Sequence, residues 1–524
     1  MAPTVAPPGG ARARYLAATA SGVLLALSYP PFHLGPLSLV ALVPLLWAWR
    51  DASVRRAAGL GFVGGVVYFT IVLWWVRYFG VVAIFPLVAA MAGSWALVGA
   101  AAGWLRRLGF SSPWLTAAAW ITGEAVIARF PLQGFPWGEV GLTLHDWPAA
   151  RALASWGGVA LVSFVVVAWN GLVIDLWVAV RARRHHAEST GRPVIRALAA
   201  LTSLVVAVAV LAATRFEPAP TGHLRFALVQ GNDKNRPLTS EELANRYLPA
   251  SHFRLADRLR GDYDLIVFPE SSMDDDPRVD PYLRDHIDAL AREHHATVIA
   301  NAITHDGKGR SYNTNIAFRP DGSVAGSYSK QHLVPFGEYV PWRDQLGFID
   351  ELQQIPVDLT AGSTHRTLAV DGHRVGTVIC FESSFSPLVR QFVREGAEAI
   401  VVTTNNRSYR RSGNSAQHVA MSQMRAAETA RPVLHSSISG ITAVIDSTGA
   451  VRRSTKLFEN AVVTGTITTV RGETPYVRWG EWPVLLAALA LVAVSGLGLW
   501  RRRARRRVAR TVDSAAEDHQ EALR

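Results

Sequence analysis

Residues 374–396 read RVGTVICFESSFSPLVRQFVREG, and the chain is organised around the cysteine inside this run, Cys380, the only one it has. Arg374 to Ile379 is short, apolar and rich in β-branched residues, the signature of a buried strand. Phe385, Leu388, Val389, Phe392 and Val393 then recur at helical spacing. The pattern places Cys380 where a strand turns into an amphipathic helix, and the macrodipole at a helix N-terminus favours the reactive thiolate. That is the placement of a nucleophile; a small buried hydrophobe is the bland alternative. One cysteine also excludes an internal disulfide, so a thiol facing an oxidising compartment needs another reason to exist.

Working outward, residues 215–480 alternate strand and helix patterns. HLRFALVQG (223–231), DLIVFPE (264–270), ATVIANAI (296–303), AIVVTTN (399–405), PVLHSSI (432–438) and TAVIDSTG (442–449) read as strands. YNTNIAFRPDGSVAGSYSK (312–330) reads as a hairpin turning at Pro320-Asp321-Gly322. Helices are expected over about 240–259, 282–294 and 415–430. The fold class is therefore α/β, with helices layered on both sides of the sheets.

Much of the rest of the 524 residues is expected to lie in lipid. The chain is 49% hydrophobic and only 18% charged, and its net charge of +12 is gathered in short clusters between apolar runs rather than on one folded face. Membrane topology, not nucleic-acid binding, accounts for that distribution. Eight spans are expected, near 15–29, 35–49, 57–79, 81–105, 113–130, 156–180, 196–214 and 482–500. Arginines follow the second span (Arg50, Arg55, Arg56), the fourth (Arg106, Arg107), the sixth (Arg181, Arg183, Arg184, Arg192, Arg196) and the last (Arg501 to Arg507, broken by Ala504). Lys and Arg accumulate on the cytoplasmic side, so both termini are expected inside and residues 215–480 outside. The expected organisation is a disordered tail over 1–14, seven spans over 15–214, the extracytoplasmic domain over 215–480, a final helix over 481–500 and a basic tail over 501–524.

Within the bundle, Gly61-x-x-x-Gly65 and Gly99-x-x-x-Gly103 permit close helix approach. Glu124, Arg129 and Asp175 are costly at bilayer depth and are expected either to pair structurally or to line a headgroup or substrate path. Trp137, in the GFPWGE turn (134–139), is an aromatic belt residue near the outer interface and a candidate substrate contact.

Three residues close separate segments of the outer domain: Glu270 in FPES, Lys330 in YSKQHLVPFGEYVP and Cys380 in ICFES. A carboxylate base, an ammonium and a thiol supply what nucleophilic attack on a carbonyl requires. These motifs, in this order and 60 and 50 residues apart, resemble the Glu-Lys-Cys nitrilase superfamily. KQHLVPFGEYVP, the eight spans and QHVAMSQMRAAETARP (417–432) are similar, within it, to the apolipoprotein N-acyltransferases, over nearly the whole chain.

The resemblance implies an α-β-β-α sandwich on the outer membrane face of a bacterial cell membrane protein. It implies two-step acyl transfer from a phospholipid through a Cys380 thioester to the α-amine of a diacylglyceryl-modified N-terminal cysteine on an apolipoprotein. Glu270 would be the general base, Cys380 the nucleophile and Lys330 the oxyanion stabiliser, helped by a backbone N–H near Phe381. Glu338 and Glu382 match the family's auxiliary carboxylates, although a purely structural role is open for each. The resemblance calls for no cofactor, no metal and no nucleic acid, and a monomer is the default. His185-His186 and His294-His295 lack zinc-like spacing and read as solvated.

The chain departs from the family pattern in NNRSYRRSG (405–413), in Phe381 where Tyr is common, and in HSSISG (435–440). Tyr409, with Arg407, Arg410 and Arg411 about it, is either part of a lid that contacts headgroups or a plain basic surface loop. A membrane-anchored amidase or nitrilase, in which water resolves the thioester, shares the triad. A transporter or receptor with an outer binding domain would instead thread ionisable residues through the bundle and tolerate Cys380→Ser.

Overall fold

The computed structural model describes residues 10–185, 191–234, 236–346, 352–353, 355 and 357–522. Of the expected N-terminal tail, residues 1–9 lie outside this set, and from Ala11 the chain is already helical. The side chains of the His185-His186 pair also lie outside it.

Every expected span carries helix, but not all are of one kind. Val54–Val72, Ala83–Arg107, Pro148–Arg184, Arg192–Ala213 and Trp482–Arg506 are long and apolar enough to cross a bilayer. The run at 35–49 is instead a 3₁₀ turn, Gly35–Leu37, and two short helices, Ser38–Ala41 and Val43–Trp49. Pro36 and Pro44 lack the N–H that a continuous helix needs there. The run at 57–79 ends as helix at Val72 and continues as a 3₁₀ turn, Trp74–Phe79. Pro148–His185 is broken at Gly157 and Gly158, the latter at φ 71, where only glycine avoids a Cβ clash. Trp482–Ala522 carries its helix on through the basic C-terminal segment. Val205, Val206 and Val210 on one long helix, and Leu485, Leu486 and Leu489 on another, are exposed, an apolar face that hydrocarbon accepts and water penalises.

The glycine pairs do what their spacing predicts. A Cβ on Gly61 would lie 2.2 Å from the Trp95 carbonyl oxygen, and one on Gly99 would lie 2.3 Å from that of Ala57. Each helix thus presents its glycines to the other's backbone. The intramembrane charges pair structurally, though not with one another: Asp175 with Arg50 at 3.0 Å, Arg129 with Glu481, and Glu124 with the Val140 N–H at 2.9 Å and the Trp120 indole at 3.1 Å.

Between the seventh and eighth expected spans lie two six-stranded sheets. The first runs, in spatial order, Ala461–Arg471, Ala219–Gln230, Leu265–Val267, Thr297–His305, Ser311–Phe318, Val324–Ser329. The second runs Val451–Ser454, Ala443–Ile445, Val433–Ser437, Ala399–Thr404, His373–Ile379, Leu368–Val370. Each has three adjacent parallel strands flanked by antiparallel ones. Leu224, Phe226 and Val267 of the first sheet meet Val375, Val401 and Leu434 of the second in a dry core between them. Tyr247–Ala256 and Pro281–Glu293 cover the first sheet's far face. The helix expected over 240–259 is two, separated at Arg246 with φ 51.

The second sheet's far face is covered by Ser386–Arg394 and Asn414–Thr429, and this layer shares one continuous hydrophobic core with the membrane helices. Asn414–Thr429 is buried on every side although it reads NSAQHVAMSQMRAAET. A helix buried all round is normally apolar, so its polar groups must all be partnered.

Candidate active site

The arrangement is set by strand ends. Glu270 follows Leu265–Val267, Lys330 follows Val324–Ser329 and Cys380 follows His373–Ile379, so the two sheets deliver all three side chains to one buried point. Glu270 is 5% exposed, Lys330 1% and Cys380 6%. The Lys330 Nζ lies 3.4 Å from Glu270 Oε1 and 2.9 Å from Glu338, and the Glu270 carboxylate is near enough to the Cys380 thiol for its negative charge to raise the thiol's pKa. The structure thus brings together the three residues expected from the sequence, with Glu338 in contact with Lys330 and Glu382 bonded elsewhere.

One expectation fails. Cys380 is not at the N-terminus of its helix: it opens a 3₁₀ turn, Cys380–Ser384, with φ 53, and the α-helix begins at Ser386. A left-handed conformation is uncommon for a residue with a Cβ and recurs where a site holds it in place. Without a macrodipole beside it, the thiol is governed by burial and then by Glu270's negative charge, which push it up to about 12 against Lys330 and a hydrogen bond from Thr404. A resting thiol, deprotonated only as it attacks, is the state this environment favours. Burial works against the Lys330 ammonium, but Glu270 and Glu338 outweigh it and hold its pKa well above the ordinary value.

Supporting groups fix each member. Asn313 Nδ2 donates to Glu270 at 2.9 Å and to Glu338 at 3.0 Å, and the Asn405 N–H donates to the other Glu270 oxygen at 2.7 Å. Glu338 also accepts from the Val334 N–H. Glu382 sits beneath the nucleophile, accepting from the Ile379, Gln331 and His332 N–H groups and from the Tyr328 hydroxyl at 2.7 to 3.1 Å. Burial pushes its pKa up to about 7 against the pull of those donors. It pins the loop after Lys330 to the Cys380 turn and touches no reacting atom.

The Thr404 hydroxyl lies 3.3 Å from Cys380 Sγ, and His418 Nε2 lies 2.8 Å from the Cys380 carbonyl oxygen. A carbonyl only accepts, so Nε2 carries the proton; burial lowers this imidazole to about 4 and keeps it neutral. Asn313, Thr404 and His418 were not singled out from sequence. Each is an ordinary polar residue on a strand or helix, and only the third dimension reveals what it touches.

The joint with the bundle lies directly behind the nucleophile. Gln417 Nε2 donates to the carbonyls of Pro30 and Val72, each at 3.0 Å, and its Oε1 accepts from the indoles of Trp75 and Trp137 at 3.0 and 2.8 Å. Trp137 stacks on Phe135 and Phe381 with centroids 5.6 and 6.4 Å apart. It is buried, and forms the wall that carries Phe381. Glu428 reaches from the same helix to accept the Val159 N–H at 2.8 Å, at the glycine break in the membrane helix, while Arg425 holds that carboxylate at 2.7 Å.

Among the other sequence candidates, Tyr409 packs edge-on against Trp75 at 4.9 Å and Phe79 at 5.3 Å. It is near enough to the centre for Cys380, Lys330 and Glu270 to act on its hydroxyl. Arg407 is occupied by Asp233 at 2.9 Å. His294, expected to be solvated, is buried, with Nδ1 2.7 Å from the Gly261 carbonyl oxygen.

Comparison with known proteins agrees with this geometry. Residues 21–172 match the apolipoprotein N-acyltransferase N-terminal domain and residues 225–476 match carbon-nitrogen hydrolase. An apolipoprotein N-acyltransferase of Geobacter metallireducens is 32% identical, over 92% of this chain and 95% of its own. One of Azotobacter vinelandii is 31% identical over 94% and 96%, and one of Photobacterium profundum 30% identical over 96% and 98%.

Proposed function

Since the chain belongs to the apolipoprotein N-acyltransferase family, a family of membrane-bound bacterial enzymes of lipoprotein maturation, we propose that Cys380 takes an acyl chain from a phospholipid and passes it to a diacylglyceryl-modified N-terminal cysteine. The observation that carries this reading is the convergence of Glu270, Lys330 and Cys380 at one buried point on the sheet layer fused to the membrane bundle.

In the first step Glu270 takes the thiol proton as Sγ attacks the acyl ester carbonyl. The oxyanion is held by Lys330 and by a backbone N–H at the Cys380–Ser384 turn. When it collapses, the C–O bond breaks and protonated Glu270 returns its proton to the lysophospholipid alkoxide, leaving a thioester. In the second step the acceptor's free α-amine attacks the thioester. Its proton passes to Glu270, the C–S bond breaks, and the thiolate is reprotonated. Glu338 positions Lys330 through their contact, and Glu382 positions the Cys380 turn; Phe381 and Trp137 form an aromatic wall beside the nucleophile, and Tyr409 packs on Trp75 and Phe79 at its edge.

The donor and the acceptor both reside in lipid, which explains a nucleophile joined to a bundle rather than tethered to one. The eight-span reading, with residues 215–480 outside the cytoplasmic membrane and both termini inside, rests on the arginine clusters after alternate spans. The protein acts as a monomer in this reading, since one chain supplies the whole triad.

The test is to incubate purified protein with phospholipid vesicles and a synthetic diacylated lipopeptide bearing a free N-terminal amine, and to follow both lipopeptide mass and free fatty acid. Acylation of the amine, abolished by Cys380→Ala, is expected. Free fatty acid or amide cleavage with an unmodified lipopeptide would identify a hydrolase instead.

A further inference from the structure

Two histidines and an aspartate from separate parts of the chain meet where spans are joined. His33 lies in the loop after the helix Ala11–Ser28, and His145 and Asp146 follow the 3₁₀ turn Val140–Leu144. The Asp146 carboxylate is shared between the two rings: Oδ1 lies 3.2 Å from His145 Nδ1, and Oδ2 lies 3.8 Å from His33 Nδ1. The ring centroids are 5.5 Å apart, and one ligand atom from each of the three residues lies within 4.8 Å of the other two. The loop is seated on the turn, since a Cβ on Gly35 would come within 2.8 Å of the Thr143 carbonyl oxygen. Among the described residues no hydrogen bond or ion pair joins this set to Glu270, Lys330 or Cys380.

An ion pair accounts for only half of it. One carboxylate is matched by one imidazolium, and the second ring then faces it uncharged. Burial and, after it, the neighbouring His145 lower the pKa of His33, so that ring is neutral at pH 7 and offers a lone pair. A fourth group completes the surroundings. Gln423 Nε2 donates to the Gly449 carbonyl and to Asp146 Oδ1, each at 3.1 Å, which leaves its Oε1 facing His145 Nδ1 at 2.8 Å. Two imidazoles, a carboxylate and an amide oxygen suit a borderline divalent ion, whereas Mg²⁺ and Ca²⁺ prefer oxygen throughout. A tetrahedral ion about 2.1 Å from each ligand sets the ligands about 3.4 Å apart, so shifts of about an ångström close the set on it. His145 is buried, while the His33 and Asp146 side chains are 45% and 61% exposed, which gives an ion a way in from water.

We propose that His33, His145 and Asp146 hold one divalent ion of the zinc class, with the Gln423 amide oxygen as a further donor. To bind through Nδ1, His145 takes the tautomer with its proton on Nε2, and Gln423 Oε1 is freed from that proton to face the ion. Gln423 lies on Asn414–Thr429, the helix that also carries Gln417 and His418. The ion therefore clamps two connections of the bundle to the helix packed behind the nucleophile. Its role is structural, and it does not depend on which acyl donor the enzyme uses.

The experiment uses the full-length protein with Cys380→Ala, which removes its only thiol as a competing ligand, purified on a histidine-free tag and stripped with chelator. Zn²⁺ and Mg²⁺ are titrated separately by calorimetry, and thermal unfolding is followed with and without each. One Zn²⁺ per chain is expected, bound in the micromolar range or tighter and raising the unfolding temperature, with no saturable binding of Mg²⁺. His33→Ala and Asp146→Asn should each weaken Zn²⁺ binding by more than the about 10- to 100-fold that loss of a supporting group costs, and should remove the rise in unfolding temperature. No saturable Zn²⁺ binding, or binding that either variant leaves unchanged, would overturn the site. Mg²⁺ bound as tightly as Zn²⁺ would overturn the zinc class, and Zn²⁺ bound without a rise in unfolding temperature would overturn the clamp.

Discussion

At the scale of single residues, the proposed centre holds a thiol whose pKa burial and Glu270 raise, beside the carboxylate assigned as its base. Two consequences can be measured. With its thiol pushed up to about 12, Cys380 carries less thiolate at low pH and tenfold more for each unit of rise. Alkylation by a small neutral reagent should therefore climb steadily from pH 7 to 10, without the levelling off that an unperturbed thiol, half ionised near pH 8.5, shows above about pH 9.5. Thr404→Val removes the hydroxyl 3.3 Å from Sγ. It should slow alkylation about tenfold at every pH in that range, since a hydrogen bond to a charged group is worth about 1.5 kcal/mol, and Thr404→Ser should restore the rate. The same hydroxyl lies 3.2 Å from Asn406 Oδ1 and 3.3 Å from His418 Nδ1, and an alkylation profile indifferent to Thr404→Val would mean that it serves only those two neighbours. Glu270→Gln leaves a side chain of the same shape but no base, and acyl transfer to Cys380 should fall by about 10² to 10⁴. The triad was legible because each member stands in a distinctive run, FPES, KQHLVPFGEYVP and ICFES. The state of the sulfur was not, because spacing alone cannot tell a helix start from a 3₁₀ turn that precedes one by six residues.

At the scale of elements, Asn414–Thr429 decides how catalytic domain and bundle are joined. Its pattern is amphipathic enough to predict a helix, and the sequence gives no sign that its polar face is also buried. Gln417 explains it: four hydrogen bonds tie the helix to two carbonyls and two indoles of the membrane half. Gln417→Leu leaves those groups buried and unpaired, at about 1 to 3 kcal/mol each. A marked fall in thermal unfolding temperature is expected, with faster alkylation of Cys380 as the wall behind it loosens. Retention of both wild-type values would show the joint to be held by apolar packing alone. Gly99→Ala places a Cβ where the Ala57 carbonyl oxygen sits, so the two helices must part and the yield of folded protein should drop. Those glycine pairs were readable from spacing. Ala461–Arg471, which closes the first sheet against Ala219–Gln230, was not among the expected strands although AVVTGTITTVR is rich in β-branched residues. Its partner lies more than two hundred residues away, and pairing across that distance leaves no local mark.

At the scale of the whole molecule, one continuous core runs from the membrane helices to the outer face of the second sheet, so the site is built on the bundle and not suspended from it. Lys308 is exposed at a hairpin turn on the sandwich. In a Cys380→Ala background, Lys308→Cys should react with a membrane-impermeant maleimide added to intact spheroplasts; reaction only after lysis would place the domain inside. The central claim, however, is that Cys380 carries the acyl chain. It is tested most directly by incubating the purified protein with labelled phospholipid, digesting it and weighing the peptide that contains Cys380. The account predicts one fatty acyl chain on that peptide, released by hydroxylamine and discharged when a diacylated lipopeptide is added. An unmodified Cys380 peptide under conditions in which the lipopeptide becomes N-acylated would contradict it.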